Sequence, residues 1–317
     1  MQFIKIEKSV MILIVTYKED FTTDFVINIL NQKRQPYLRL NTEDILSDYK
    51  VEIASNSQLN IKIDGIDTFH SVWFRRVKMP VLESSNIGYV DFMNIELKKY
   101  FSNLWQTIDP LKWMSHPNAI YRSENKLLQL KIAQTIGLSI PRTLVSYNHD
   151  VILDFYDKCN GEIIIKPLYN NRIIGDDNLS IIYTSALTKN DLLKIEESMP
   201  FPSIYQEYVD KDIEIRVTVV ENEIFSAYTE SQKNEESKID WRRSDSKFYR
   251  YKLPDEIEKK CIELIKRLGL SFGAIDLIKN KNGEYTFLEI NPNGQWAWIE
   301  IDTGMPISKA ISNYLIN

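Results

Sequence analysis

Two apolar stretches near the C-terminal end each carry one acidic residue where a strand would bury it. Asp276 interrupts GAIDLI (273–278), and Glu289 interrupts FLEIN (287–291). A carboxylate inside a buried strand is costly unless it is paired or holds a metal. Asn282-Gly283 between the two stretches is a hairpin dipeptide, so the strands are expected to pair antiparallel. Asp276, Glu289 and Asn291, two residues beyond Glu289, then fall on one sheet face. Oxygen donors of this kind suit Mg²⁺ whose remaining positions are filled by phosphate oxygens. The competing explanation is a pair of edge carboxylates facing water.

Cations and further carboxylates precede this pair. Lys166 ends the apolar run EIIIK before Pro167, and a lysine there reaches a phosphate as a point charge. The polar stretch 170–180 holds one glycine, Gly175. Such a loop can close over phosphates with backbone N–H groups, although so few glycines equally fit an ordinary hairpin loop. SIYQEYV (203–209) is predicted to be a sheet edge. Its backbone from Gln206 through Glu207 and Tyr208 to Val209 offers the donor–acceptor pattern of an adenine edge. Asp210, Asp212 and Glu214 follow as carboxylates for ribose hydroxyls. Arg216 shares a strand face with Glu214 and suits bidentate contact with phosphate or carboxylate, or else forms a surface ion pair with Glu214. Trp296 and Trp298 after Gly294 are better read as core packing of the last loop. Trp241, Arg242 and Arg243 in DWRR, and Arg75-Arg76 at a strand end, either hold an anionic group or belong to solvated segments.

The elements that position these residues follow from apolar spacing. Residues 10–16, 22–31 and 36–40 predict strand, helix and strand, a βαβ unit and hence a parallel sheet. Strand 59–63 runs into Gly65 as a hairpin signal, and strand 71–75 follows. Helix 89–108 is closed by Pro110 and Pro117. Ser123 is the expected cap of helix 124–136, which Gly137 stops. Strands are expected at 143–146, 162–166, 179–184, 203–208, 213–220 and 224–229, with a helix at 189–198. A polar loop spans 232–247. Helix 255–268, strands 272–278 and 284–290, and helix 307–316 complete the chain. The division is a small α/β region over 1–118 and a second region over 119–317.

The chain has 317 residues, with 39 basic and 44 acidic side chains and a net charge of -5. That balance argues against a nucleic-acid partner and leaves a nucleotide site open. Cys159 and Cys261 show no CxxC spacing, and His70, His116 and His149 form no ligand pattern. No apolar run reaches the ~20 residues of a membrane helix, and no signal peptide is apparent. A cytoplasmic protein without a membrane partner is expected. GxGxxG after the first strand and GxxxxGK[ST] are both absent, which removes Rossmann and P-loop readings.

Taken in order, helix lysine Lys126, strand lysine Lys166, the hinge Gln206–Val209, Glu214-Ile215-Arg216, then Asp276, Glu289 and Asn291 resemble the ATP-grasp superfamily. LEINPN alone is similar to ATP-grasp proteins generally. LEINPNGQW followed by WIE, with VWFRR (72–76) and DWRR, resembles the graspetide maturases of the microviridin and grasp-with-spasm types. The resemblance implies an ATP-grasp fold, α/β and α+β, after an N-terminal pre-ATP-grasp α/β domain. It implies ATP and two Mg²⁺ ions, a ribosomal precursor peptide whose leader docks on the enzyme, and a homodimer. The implied reaction phosphorylates an Asp or Glu side chain. A Thr or Ser hydroxyl, or a Lys amine, then displaces phosphate and closes a macrocyclic ester or amide.

Carried over by position, Lys126 and Lys166 contact phosphates. Gln206, Glu207, Tyr208 and Val209 line the adenine pocket, and Glu214 or Asp212 meets the ribose. Arg216 meets the γ-phosphate or acyl phosphate, and Asp276, Glu289 and Asn291 hold Mg²⁺. Arg216, Lys166 and Asn291 are the expected catalytic residues. Arg75, Arg76, Trp241, Arg242 and Arg243 are the expected substrate contacts, and 170–180 is the lid. Leader contacts are sought around 213–241, near Glu235 and Glu236. The alternatives are an ATP-grasp ligase that adds an amino acid to a carboxylate, and a non-catalytic ATP- or peptide-binding module.

Overall fold

The computed structural model describes residues 11–55, 57–84, 86–169, 172–174, 179–181, 184–196, 201–233, 239, 241 and 246–317, with the backbone alone at 172–174, 179–181 and 195–196. The chain begins with β1 (Ile12–Thr16), α1 (Phe21–Gln32), β2 (Tyr37–Asn41), β3 (Val51–Ser55), β4 (Leu59–Ile63), β5 (Ser71–Phe74), α2 (Ile87–Thr107) and β6 (Lys112–Met114). Strands β2-β1-β5-β6 form a parallel sheet, as the strand–helix–strand pattern requires. Every residue of β1 is buried, which explains its unbroken apolar run. The hairpin expectation needs correction. The partner of β4 precedes it as β3, with Val51 opposite Ile63. Gly65 (φ +79°) instead closes a tight turn that joins Ile63 to Ile66.

Next come α3 (Pro117–Ser123) and α4 (Lys126–Thr135). The single helix expected over 124–136 is therefore preceded by a second short one. Ser123 ends α3, its hydroxyl donating to the Ala119 carbonyl (2.6 Å), and Asn125 is the cap, accepting from the Leu128 N–H at 3.0 Å. Gly137 stops α4 with φ +79°, as expected.

A third group comprises β7 (Thr143–Ser146), α5 (His149–Lys158), β8 (Ile163–Lys166), β9 (Arg172–Ile174), β10 (Leu179–Ile181), β11 (Ser185–Leu187), α6 (Lys189–Glu196) and β12 (Ser203–Glu207). The antiparallel order is β11-β8-β12-β7, with β9 and β10 a separate antiparallel ribbon. The strand expected over 179–184 thus divides between two sheets. Segment 203–209 is also corrected: β12 is an inner strand, paired on both sides.

The chain ends with β13 (Ile213–Val220), β14 (Glu223–Thr229), β15 (Tyr249–Arg250), α7 (Asp255–Leu268), β16 (Phe272–Lys279), β17 (Tyr285–Asn291), α8 (Ala297–Thr303) and α9 (Ile307–Ile316). The antiparallel order β15-β14-β13-β16-β17 makes β13 and β16 the centre of this sheet. Helix α7 buries Cys261, Leu264, Ile265 and Leu268 along one stripe. Acidic residues fill its first turn, Lys266 and Arg267 its last, and Gly269 (φ +76°) ends it. Truncating fully buried Leu264 to alanine is expected to cost about 2–5 kcal/mol. Helix α9 packs on α1, and Ser71 donates to the Leu315 carbonyl at 2.7 Å. The end of the chain therefore closes over the first sheet. Among the described residues, no helix is long and apolar enough to cross a membrane.

Candidate active site

A cleft of about 860 Å³ is walled by β8 and β12 on one side and by β13, β16 and β17 on the other, with the end of β5 at its rim. The register of the last sheet sets its chemistry. Arg216 on β13 lies opposite Asp276 on β16, and Asp276 lies opposite Glu289 on β17. Paired residues on antiparallel strands share a face, so these three side chains form one row. Asn291 sits two residues beyond Glu289, opposite Ala274. A bulge follows, because Leu277 faces Phe287 and Leu288 is the extra residue.

The row is linked by short contacts. Arg216 Nη1 donates to both Asp276 oxygens at 2.8 Å. Asn291 Nδ2 donates to Asp276 Oδ2 at 3.3 Å. Lys126, the first residue of α4, lies 3.5 Å from Glu289 and donates to the Pro167 carbonyl at 3.2 Å. One ammonium group thus bridges the metal-ligand candidates and the end of β8, where Lys166 also lines the cleft. The expected trio of Asp276, Glu289 and Asn291 comes together, with Arg216, Lys126 and Lys166 around it. Among the described residues, no three His, Cys, Asp or Glu side chains gather as a metal cluster. The third donor here is an amide oxygen, which suits a hard cation that also takes phosphate and water oxygens.

Glu214 is buried, and its carboxylate meets Lys211 Nζ at 2.7 Å. Burial pushes the Glu214 carboxyl up from its ordinary range, against the opposing charge of Lys211 and a hydrogen bond from Ser231. Lys211 also donates to the Ile239 carbonyl at 3.2 Å. Asp212 is exposed, and it is Glu214 rather than Asp212 that lines the cleft. At the adenine candidate, the N–H groups of Glu207 and Tyr208 are taken by the carbonyls of Arg142 and Glu162. The Glu207 carboxylate is held by the Arg142 backbone N–H and guanidinium. Gln206 donates to Thr143 at 2.8 Å, while its buried Oε1 has no partner among the described residues. Strand β12 ends at Glu207, and Tyr208 and Val209 line the cleft just beyond it.

The substrate candidates separate. Arg75 is 1% exposed and bound to Asp20 at 2.6 Å, so it sits buried in the cleft wall rather than exposed. Arg76 lines the cleft. Trp241 packs on Trp298 and Phe248, with ring centroids 5.2 and 5.1 Å away. Trp298 reaches the cleft, whereas Trp296 is core and meets Phe25 edge-on. Arg242, Arg243, Glu235 and Glu236 lie outside the described residues, as does most of the lid candidate apart from the β9–β10 ribbon.

Several site residues carry no sequence signal. Gln129 on α4 donates to the Ile290 carbonyl (2.9 Å) and accepts from the Ile290 N–H (3.0 Å), clamping β17 between Glu289 and Asn291. Glu124 and Tyr169 share a hydrogen bond on the cleft wall, and burial pushes the Glu124 carboxyl up. Both interactions join residues distant in sequence, which no local spacing encodes.

A family model described as the RimK-like ATP-grasp domain matches residues 123–315. The tetrahydromethanopterin:alpha-L-glutamate ligase of Methanocaldococcus jannaschii is 25% identical over 260 residues, 78% of this chain and 82% of that protein. Among solved structures, the macrocyclase MdnC of Microcystis aeruginosa MRC, bound with precursor peptide MdnA, is 29% identical. Its TM-score is 0.87, over 97% of this chain and 99% of that one. A RiPP-associated ATP-grasp ligase of Chryseobacterium gregarium, in complex with ADP and a leader and core peptide, shares the fold at a TM-score of 0.87. It is 24% identical and covers 96% of both chains.

Proposed function

We propose that this chain, which belongs to the RimK-like ATP-grasp family, is a ligase that closes side-chain cross-links in a ribosomal precursor peptide. The observation that carries the reading is the row Arg216, Asp276 and Glu289, with Asn291 beside it, facing Lys126 and Lys166 across one cleft. The whole-length likeness to MdnC, solved with its precursor peptide, supports a peptide as substrate.

In this reading Tyr208 and Val209 edge the adenine, with Gln206 and Glu207 fixing the strand behind them. Glu214 receives the ribose hydroxyls. Lys126 and Lys166 take phosphate oxygens, and Arg216 takes the transferring phosphoryl group. Asp276, Glu289 and Asn291 would hold Mg²⁺, with two ions in all. The metal would supply positive charge to the phosphate oxygens, so that two anions can approach. The Asp or Glu carboxylate oxygen of the peptide attacks the γ-phosphorus, and ADP leaves. A Thr or Ser hydroxyl, or a Lys amine, then attacks the acyl carbon, and phosphate leaves. Arg216 and Lys166 carry the electrostatic part, since preorganised cations in a dry cleft act where charge develops. Holding both peptide side chains together supplies proximity. Water that would hydrolyse the acyl phosphate has to be kept out of the cleft, and Arg76 and Trp241 face the peptide.

The leader docks outside this cleft, and two copies form a homodimer. Ile87, Tyr89, Phe92 and Ile95, exposed along the first turns of α2, are the apolar surface such pairing would cover. The site of action is the cytoplasm, where the free and buried Cys159 and Cys261 stay reduced.

The glutamate-ligase relative favours a second reading, addition of an amino acid to a carboxylate. Both readings use the same nucleotide chemistry, so mass decides. Incubation with ATP, Mg²⁺ and a precursor peptide carrying Asp or Glu beside Thr, Ser or Lys should remove one water per cross-link. A product heavier by an amino-acid residue would establish the second reading instead.

A further inference from the structure

The turn that leaves the metal-ligand strand carries a side chain held in one orientation from outside the ATP-grasp sheet. Asn291 accepts from the Gly294 N–H at 3.1 Å, and this turn delivers Gln295 to the cleft wall. Gln295 Oε1 accepts from Thr22 Oγ1 at the start of α1 and from Arg75 Nη2, 2.7 Å away at the end of β5. A guanidinium nitrogen can only donate, so the amide atom facing it is oxygen, and the flip of the amide is settled. Nε2 is then turned away from Thr22 and Arg75, and it meets no acceptor among the described residues. The Gln295 carbonyl lies 3.5 Å from Arg216 Nη2, which places this residue beside the Arg216–Asp276 pair.

The lock is itself held firmly. Arg75 Nε donates to Asp20 Oδ2 at 2.6 Å, and the same oxygen accepts from Thr16 and Thr23 at 2.8 and 3.0 Å. Both ion-pair partners are buried, at 1% and 0% side-chain exposure. A buried pair of this kind gives little net stability against an apolar replacement. What the pair does fix is geometry, since the same guanidinium that binds Asp20 also binds Gln295.

We propose that Gln295 is a catalytic hydrogen-bond donor, its Nε2 binding the oxygen of the peptide carboxyl group, with Arg75 the positioning residue that aims it. This rests on the ligase reading above. When the nucleophile attacks the acyl carbon, the C=O electron pair moves onto that oxygen. It returns as the C–O bond to phosphate breaks, and the proton of the nucleophile leaves with the departing phosphate. A donor already aimed at the oxygen needs no reorganisation as its charge grows.

Gln295→Glu is the decisive variant. It keeps the shape and keeps an oxygen for Arg75 and Thr22, so the fold and the ADP affinity should persist. It replaces the cleft-facing donor with an acceptor. A merely structural glutamine would tolerate this change, because an ion pair to Arg75 replaces a neutral hydrogen bond. Cross-linking of the precursor peptide with MgATP should lose about 10²-fold or more in kcat, with KM for ATP unchanged. Gln295→Met, which removes both polar atoms, should lose kcat similarly. Arg75→Lys should lose less, since a lysine keeps the charge without the fork. Gln295→Glu that cross-links as fast as wild type overturns the donor assignment and leaves the ligase reading standing. Wild-type protein that forms no cross-link overturns the ligase reading and the assignment with it.

Discussion

Arg216 and Asp276 face each other across adjacent strands, and a single guanidinium nitrogen reaches both carboxylate oxygens at 2.8 Å. The two side chains are 7% and 17% exposed. The Arg216 guanidinium therefore occupies both oxygens of the carboxylate proposed as a Mg²⁺ ligand. In the proposed ligase, holding Mg²⁺ would require Asp276 to release Arg216, freeing the guanidinium to meet the phosphates.

That exchange sets the metal's apparent affinity. Arg216→Met should bind Mn²⁺ more tightly than wild type in the absence of nucleotide, by about tenfold, or ~1.4 kcal/mol. The same variant should not turn over ATP. Titration calorimetry and a phosphate-release assay measure the two effects, and metal affinity unchanged by the substitution would contradict the exchange.

Glu289 tests the third member of the row. Its partner Lys126 lies 3.5 Å away, and both side chains are 21% exposed. Losing this partly exposed ion pair, whose charges are 3.5 Å apart, should cost about 1 kcal/mol of stability. Glu289→Gln should nonetheless abolish ATP turnover, with thermal unfolding little changed. Unchanged phosphate release in that variant would count against the metal role.

Gly294 has no room for a side chain. A Cβ there would lie 2.5 Å from the Ala274 Cβ and 2.7 Å from Arg216 Nη2. Gly294→Ala should therefore displace Arg216 and the Gln295 turn, lowering kcat more than it lowers the melting temperature. Kinetics and calorimetry on the same preparation separate the two losses.

The Asp20–Arg75 lock predicts a pH dependence with a definite sign. Burial pushes the Asp20 carboxyl up. The Arg75 charge and hydrogen bond, together with the Thr16 and Thr23 hydroxyls, outweigh this and hold it below the usual range. The unfolded chain then binds the proton more readily, so the stability from this carboxylate is present above the ordinary value of about 3.9 and is lost as pH falls below it. Asp20→Asn should be less stable near neutrality and should lose less stability on acidification. Urea denaturation across that range measures the slope.

How much could be read beforehand follows from how local each signal is. The shared face of Asp276, Glu289 and Asn291 was legible because period-two alternation and the Asn282-Gly283 turn set it without tertiary information. Helix α7 was legible from its apolar stripe and charged ends. Ser123 and Asn125 show the limit: both suit an N-cap, and only packing assigned Ser123 to the end of α3. The inner position of β12 was hidden because it depends on β7 and β8 closing on either side. Gln129, Lys211 and Gln295 acquire meaning only through partners brought together by folding. Arg75 read as a surface candidate because the sequence does not show Asp20 and Gln295 folding over it.

The central claim is that Asp276, Glu289 and Asn291 grip the divalent cation that carries the nucleotide triphosphate. A crystal structure with Mg²⁺ and a non-hydrolysable ATP analogue tests it most directly. Metal–oxygen distances of about 2.0–2.1 Å to these side chains are expected, with Arg216 turned from Asp276 toward the γ-phosphate. A metal held elsewhere, with Arg216 still closed on Asp276 beside the bound nucleotide, would contradict it.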